Sequence, residues 1–179
     1  MRIVAGRFRG RVIHPPKGLP VRPTTDQAKE ALFNILNNRL DFDGLKVLDC
    51  FAGTGNMSYE FLSRGVEDLL AIDADAGCVR FIQATFRELG ATQAHVLRMN
   101  ADRYFREAPV PYDLIFMDPP YAMPGQEELI SSIFQGGWLA EDGLLILEHA
   151  SNKPFTGLAE FVEMRKYGGS SFSFFESLK

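Results

Sequence analysis

The chain has 179 residues, of which 46% are hydrophobic, and it carries a formal net charge of -4. This length and composition fit one compact domain with a sizeable core and a short appendage. The sequence holds no apolar run of about 18 residues or more, and its first residues lack the apolar centre of a signal peptide. We therefore expect a cytosolic, cytoplasmic protein that does not enter a membrane.

The first 23 residues form a basic segment without any Asp or Glu. A hairpin that pairs residues 3–5 with residues 12–13 would direct the alternating Arg7, Arg9 and Arg11 to one side. Although a charged run is most often only a solvated surface, cations on one side of a hairpin suit RNA phosphates. We predict that residues 1–23 form an RNA-contacting hairpin and loop, with Arg7, Arg9, Arg11 and Arg22 as its RNA-binding residues.

Regular elements follow in chain order. Thr24 and Gln27 form a capping-box pattern, which predicts a helix whose apolar positions continue to residue 36. From residue 45, strands and helices alternate, with strands predicted at 46–50, 69–73, 95–98, 112–117 and 144–148, and helices at 56–63, 79–89, 102–106 and 127–134. The last runs, 161–166 and 172–175, predict an antiparallel hairpin. The pattern predicts an α/β fold with a doubly wound, mostly parallel, seven-stranded sheet over residues 24–179.

A glycine turn follows the first strand of this sheet, from Asp49 to Gly55. An open α/β sheet binds nucleoside ligands at such a turn, and an acidic residue about 20 positions on can hold ribose hydroxyls. Position 58 is Ser, so the dinucleotide fingerprint is incomplete. The predicted cofactor-binding residues are Asp49, Phe51, Gly53, Thr54, Gly55, Asp73 and Asp102, although Asp102 also fits a helix cap after Asn100.

Charge separates the possible cofactors. No Lys or Arg lies between Asp49 and Arg64, so a pyrophosphate would meet only acidic strand ends. S-adenosylmethionine carries a sulfonium and an ammonium, and its one carboxylate can lie at a helix N-terminus. We predict S-adenosylmethionine as the cofactor, and a dinucleotide-binding oxidoreductase is the alternative from another class.

A second motif, Asp118-Pro119-Pro120-Tyr121, follows the apolar run 114–117. The amino group of a nucleobase is a weak nucleophile whose protons must be held by acceptors. The Asp118 carboxylate and the Pro119 carbonyl could accept them, because Pro120 has no N–H to occupy that carbonyl, and Tyr121 could stack on the base. Asp before Pro-Pro also occurs as plain turn punctuation. The predicted catalytic residues are Asp118, Pro119 and Tyr121.

Cysteine and histidine indicate no metal site. Cys50 and Cys78 lack CxxC spacing, so we expect two reduced, packed thiols. The three histidines are scattered through the chain, and no chemistry is assigned to them.

The chain resembles the class I S-adenosylmethionine-dependent methyltransferases, and within them the bacterial RsmD-type 16S rRNA (guanine-N2)-methyltransferases. The resemblance is carried by residues 2–11, 22–26, 30–36, 48–55, 63–65 and 118–121. The basic opening joined to Glu-Ala-Leu-Phe-Asn is its most specific part. The chain departs from the family pattern at residues 56–58, at Lys29 where the family has Arg, and at Asp73 where Glu is common.

This resemblance implies a Rossmann-like methyltransferase domain that modifies the exocyclic amine of a guanine in ribosomal RNA, within a small-subunit particle. Asp49 to Gly55 would line the donor, Asp73 would hold its ribose, Asp102 would lie near its adenine, and residues 118–121 would receive the base. Two other readings of the sequence stay open. One is an adenine-N6 amino-methyltransferase, and the other is an RNA-binding protein without catalysis.

Overall fold

The computed structural model describes residues 1–21 and 24–178. The strands are β1 Lys46–Cys50, β2 Asp68–Asp73, β3 Ala94–Arg98, β4 Tyr112–Met117, β5 Leu139–Ala150, β6 Phe161–Tyr167 and β7 Ser170–Glu176. The helices are α1 Asp26–Asn37, α2 Asn56–Ser63, α3 Ala76–Leu89, α4 Ala101–Tyr104 and α5 Gln126–Gln135.

The seven strands form one sheet in the order β3-β2-β1-β4-β5-β7-β6. The first five are parallel, and β7 runs antiparallel to both β5 and β6. The predicted doubly wound, mostly parallel α/β fold is therefore confirmed. The strand order reverses between β1 and β4, and in such sheets ligands bind outside the carboxyl ends of the strands at this reversal.

Both faces of the sheet are buried. Alternate strand residues such as Val47, Leu114 and Ile146 pack in a core that includes residues of α1, α2 and α3. The residues between them, such as Leu48 and Ile115, pack with residues of α4 and α5 in a second core. Burial on both faces explains why these parallel strands are nearly continuous apolar runs.

The N-terminal residues form a short hairpin with a single antiparallel bridge, between Arg2 and Val12. The Ile3 N–H donates to the Arg11 carbonyl, and the Gly10 N–H donates to the Ile3 carbonyl, both at 2.9 Å. Ile3 and Phe8 belong to the same core cluster as the sheet residues. The division of the chain after residue 23 stays a prediction, and the hairpin shares its apolar core with the rest of the fold.

Two details of the predicted elements are wrong. The N-cap of α1 is Thr25, whose hydroxyl accepts from the Ala28 N–H at 3.2 Å, because the Thr24 hydroxyl donates instead to Glu148 at 2.8 Å. Strand β5 begins at Leu139 rather than at residue 144. Its polar start pairs with β4 across a register shift between Tyr112 and Leu114, which an apolar run could not reveal.

Cys50 and Cys78 are buried free thiols. Within residues 1–21 and 24–178, no three His, Cys, Asp or Glu side chains lie together as a metal-binding group. None of the helices in these ranges is long and apolar enough to span a membrane.

Candidate active site

Four carboxylates extend one face of the sheet beyond its apolar core. They are Asp49 of β1, Asp73 of β2, Asp118 directly after β4, and Glu148 of β5. They continue the face of the first core because side chains alternate along a strand and the parallel registers align these positions. All four line one cavity of about 1150 Å³ at the carboxyl ends of the strands.

Asp49 lines this cavity with only 1% of its surface exposed. The Ser58 hydroxyl donates to its carboxylate at 2.5 Å. Burial raises the pKa of Asp49 from 3.8 to about 7, opposed by the hydrogen bonds from Ser58, and the charge of Asp73 raises it further. Position 58, which lacks the glycine of a dinucleotide fingerprint, therefore supplies the hydrogen-bond partner of the central acid.

Asp73 holds the glycine turn in place. One carboxylate oxygen accepts from the Gly53 N–H and the other from the Asp75 N–H, each at 2.8 Å. Gly55, the N-cap of α2, has a φ of 80°, and a side chain there would place a Cβ 2.6 Å from the Tyr59 ring. The turn therefore depends on glycine at position 55 for conformation and for packing.

The structure brings most of the predicted cofactor residues together. Phe51, Gly53 and Thr54 line the cavity with Asp49 and Asp73. Gly55 and Asp102 are not among the lining residues. Asp102 is exposed on the first turn of α4, and Asn100, at the N-cap of that helix, lines the cavity instead.

The predicted base-reading motif forms another part of the same wall. Asp118, Pro119, Pro120 and Tyr121 all line the cavity, and the Tyr121 side chain is 41% exposed. Burial raises the pKa of Asp118 well above its ordinary value, and the charges of Glu148 and Asp49 raise it further.

The turn after Asp118 is fixed through the second proline. The Pro120 carbonyl accepts from the Met123 N–H at 2.8 Å and from the Gln126 side-chain amide at 3.2 Å. Pro119 is buried, and both of these hydrogen bonds are accepted by the carbonyl of Pro120 rather than by that of Pro119. The role of the Pro119 carbonyl as an acceptor stays a prediction.

Several parts of the cavity wall were missed from the sequence, and Glu148 and the final hairpin are among them. Glu148 is 5% exposed, and its pKa is raised by burial and lowered by the hydroxyls of Thr24 and Ser170. The end of β6, the turn after it and the first residue of β7, residues 166–170, line the cavity as well. The alternation of Leu144, Ile146 and Glu148 along one strand could have revealed the acid, whereas contacts of the final hairpin depend on long-range pairing.

The N-terminal hairpin is fastened to α2 through its backbone. The N–H groups of Val4 and Ala5 donate to the two carboxylate oxygens of Glu60 at 3.0 and 3.1 Å. The Phe8 N–H donates to the Ser63 hydroxyl at 2.9 Å, and this hydroxyl donates to the Ala5 carbonyl. Backbone groups therefore fix the hairpin, and its side chains are not needed for these bonds.

The predicted RNA-binding arginines Arg7, Arg9 and Arg11 are exposed. Arg7 and Arg9 lie in the turn of the hairpin, whereas Arg11 directly precedes the bridge residue Val12, so alternation along one strand does not orient all three. The guanidinium groups of Arg7 and Arg11 instead lie over the Phe8 ring, 5.1 and 5.6 Å from its centre. Arg22, the fourth predicted RNA-binding residue, lies outside the described residues.

Lys29 links the hairpin, α1 and α2 from a buried position with 1% exposure. Its ammonium donates to the Arg2 carbonyl at 2.7 Å and to the Asn56 side-chain oxygen at 2.9 Å, and it lies 3.3 Å from Glu60. The Asn56 amide in turn donates to the Thr24 carbonyl at 3.2 Å. The ammonium thus uses its three donors on three acceptors, which a planar guanidinium could not reproduce unchanged.

Comparisons with known proteins agree with this architecture. Residues 1–176 match the family described as "Conserved hypothetical protein 95". "Ribosomal RNA small subunit methyltransferase D" of Escherichia coli K12 is 34% identical over 148 residues, which cover 83% of this chain and 74% of that protein. "Putative rRNA methyltransferase YlbH" of Bacillus subtilis is 35% identical over 153 residues, which cover 83% and 82%.

A solved structure shows the same fold over nearly the whole chain. "Putative methyltransferase yhhF from Escherichia coli" superposes with a TM-score of 0.87 at 31% identity and covers 98% of this chain and 97% of that chain. The matched family spans residues 1–176, which is almost the whole chain. The chain therefore belongs to the RsmD-type family of class I S-adenosylmethionine-dependent methyltransferases.

Proposed function

We propose that the protein transfers a methyl group from S-adenosylmethionine to the exocyclic N2 amine of a guanine in small-subunit (16S) ribosomal RNA. The observation that carries this proposal is the shared cavity. Asp118 and the half-exposed Tyr121 line the same space as the glycine turn and Asp49, so a base held by the first pair lies beside a donor held by the second.

The cavity residues fit S-adenosylmethionine. Lys166 is the one Lys or Arg among the described lining residues, whereas five carboxylates line the space: Asp49, Asp73, Asp75, Asp118 and Glu148. A sulfonium and an ammonium are attracted by this acidic wall, whereas a pyrophosphate is repelled. The N-terminus of α2 follows Gly55 and can receive the single carboxylate of the methionine part. Asp49, Asp73 and the backbone of residues 51–54 would hold the donor.

The bound donor supplies an activated methyl group, so this chain contributes position and proton acceptance. Asp118 would accept a hydrogen bond from the amine, and this bond would aim the nitrogen lone pair into the cavity. The negative carboxylate would stabilise the positive charge that develops on the nitrogen and would accept its proton. A carboxylate whose pKa is raised by burial is a stronger proton acceptor than an exposed one. Tyr121 offers an exposed ring on which the base stacks.

RNA is held outside the cavity by the basic hairpin in this proposal. Arg7, Arg9 and Arg11 are exposed, and their anchoring on α2 gives them a fixed position relative to the cavity. Cations at fixed spacing bind phosphates and carry little base information. Base selection would therefore be made at residue 118 and its neighbours. A small-subunit particle in the cytoplasm would be the substrate.

Transfer of labelled methyl from S-adenosylmethionine to small-subunit particles that lack the modification tests this proposal. Nucleoside analysis should find N2-methylguanosine with the wild type and none with Asp118→Ala. Label in N6-methyladenosine would support an adenine methyltransferase instead. Binding of NAD without binding of S-adenosylmethionine in calorimetry would support an oxidoreductase. RNA binding without methyl transfer would support an RNA-binding protein that has no catalytic activity.

A further inference from the structure

Glu148 occupies the position beside Asp118 on the neighbouring strand. Met117 and Leu147 are register partners in the parallel pair of β4 and β5, so the next residue of each chain lies on the same face. Adjacent strands are about 4.8 Å apart. Both acids line the cavity, and the charge of Glu148 acts directly on Asp118.

This acid is held in a defined orientation. The Thr24 hydroxyl donates to one carboxylate oxygen, Oε2, at 2.8 Å. Thr24 is in turn fixed by its own carbonyl, which accepts from the Asn56 amide. Glu148 is 5% exposed, and among the described residues neither Glu148 nor Asp118 has a Lys or Arg ion-pair partner.

Glu148 is buried and the adjacent Asp118 is half-buried, so both carboxylates require hydrogen-bond donors, because burial of unpaired negative charge is costly. The hydroxyls of Thr24 and Ser170 act as donors to Glu148, whereas an entering ligand can supply donors to Asp118 and to the remaining acceptor positions of Glu148. The edge of guanine that carries N2 offers two neighbouring donors, N1–H and the amine. Adenine has an acceptor at N1 beside its amine, which would face a carboxylate oxygen with no proton between them. The paired acids therefore match a donor-donor edge.

We propose that Glu148 is a specificity-determining residue that accepts the N1–H of the target guanine while Asp118 accepts a proton of its amine. This inference rests on the proposed function, and it assigns base selection to the pair rather than to Asp118 alone. The hydrogen bond from Thr24 makes Thr24 the residue that positions Glu148.

2-Aminopurine separates the two contacts, because it keeps the 2-amino group but has an unprotonated N1. Small-subunit particles are reconstituted with guanine or 2-aminopurine at the methylated position, and kcat/KM for methyl transfer is measured on each. The wild type should prefer guanine by about 100-fold or more, since a site built to accept a hydrogen bond rejects an analogue that lacks it.

Glu148→Gln should reverse part of this preference, because an amide N–H can donate to the bare N1. We expect its kcat/KM on guanine to fall by about 10- to 100-fold and its preference for guanine over 2-aminopurine to shrink by at least about 10-fold, as expected for one lost hydrogen bond to a charged group. Glu141→Gln, an exposed change at the other end of β5, should leave both values unchanged.

Failure of the role of Glu148 and failure of the proposed function give different results in these assays. A wild-type enzyme that methylates both bases equally, or a Glu148→Gln variant that keeps the wild-type preference, overturns the role of Glu148. Absence of transfer to guanine by the wild type overturns the proposed function instead. If Glu148→Gln loses donor binding in calorimetry, Glu148→Asp is measured in its place. Glu148→Asp keeps the negative charge, but its shorter side chain moves the carboxylate away from N1 of the base. An unchanged preference for guanine over 2-aminopurine would therefore also overturn the inference.

Discussion

Replacement of Asp49 by Asn should make the fold more stable at neutral pH while it weakens donor binding. Burial raises the pKa of this carboxylate from 3.8 to about 7. At about 1.4 kcal/mol per pKa unit, the ionised form is disfavoured in the folded protein by about 4 kcal/mol at most. Asn can accept the same hydrogen bond from Ser58 without carrying the charge.

The sign of the effect follows from proton uptake. Between about pH 4 and pH 7 the folded protein keeps the proton on Asp49 and the unfolded chain has lost it. Asp49 therefore lowers the free energy of unfolding of the wild type as the pH rises through this window. Above about pH 7 the destabilisation by Asp49 stays constant. Asp49→Asn has no such loss, so the free energy of unfolding of the variant should exceed that of the wild type by a difference that rises from near zero at pH 4 to about 4 kcal/mol at pH 8.

Urea unfolding at half-unit pH steps measures this difference, because contributions of other groups cancel between the two proteins. Asp43→Asn, an exposed change, serves as the control and should stay within about 0.5 kcal/mol of the wild type at every pH. Calorimetry at pH 8 should show weaker S-adenosylmethionine binding for Asp49→Asn only. An advantage that does not change with pH would refute the role of the buried charge.

Three further predictions concern other parts of the molecule. Asp118→Ala should bind S-adenosylmethionine normally in calorimetry and lose turnover by about 100-fold or more, and full turnover would refute its role. Alanine at the three exposed arginines of the hairpin should reduce the salt slope of RNA binding by about 2, with donor affinity intact; an unaltered slope would count against RNA contact there. Lys29→Met should destabilise the fold by about 1.5 to 3 kcal/mol in urea unfolding, because Glu60 loses its buried ammonium partner but keeps Arg64 and two backbone N–H donors, and a loss below about 0.5 kcal/mol would contradict this.

Most of the sheet could be predicted because its strands are buried on both faces. The strands 46–50 and 112–117 and the helix 56–63 were predicted with the bounds that the structure shows. Strand 112–117 ends directly before Asp118, helix 56–63 ends two residues before Gly65, and strand 46–50 ends three residues before Gly53, so local chemistry defines the limits of each. Strand β5 was predicted too short because its polar first half has no such signal.

The cavity was predicted in part, and the missed long-range contacts have a common cause. The acids at 49, 73 and 118 directly follow or end apolar strands, so local sequence indicates them. The contact of Thr24 with Glu148 spans 124 residues, and that of Glu60 with Val4 spans 56. Contacts of this kind depend on which elements become neighbours in the folded chain, which periodicity does not encode.

The backbone attachment of the N-terminal hairpin has a consequence for how this protein can change. Its bonds to Glu60 and Ser63 come from peptide groups, which every sequence except one with proline there supplies. The outward side chains can therefore be exchanged while the hairpin keeps its place. Substitutions among these outward side chains therefore change the charge of the hairpin surface without loosening its attachment to α2.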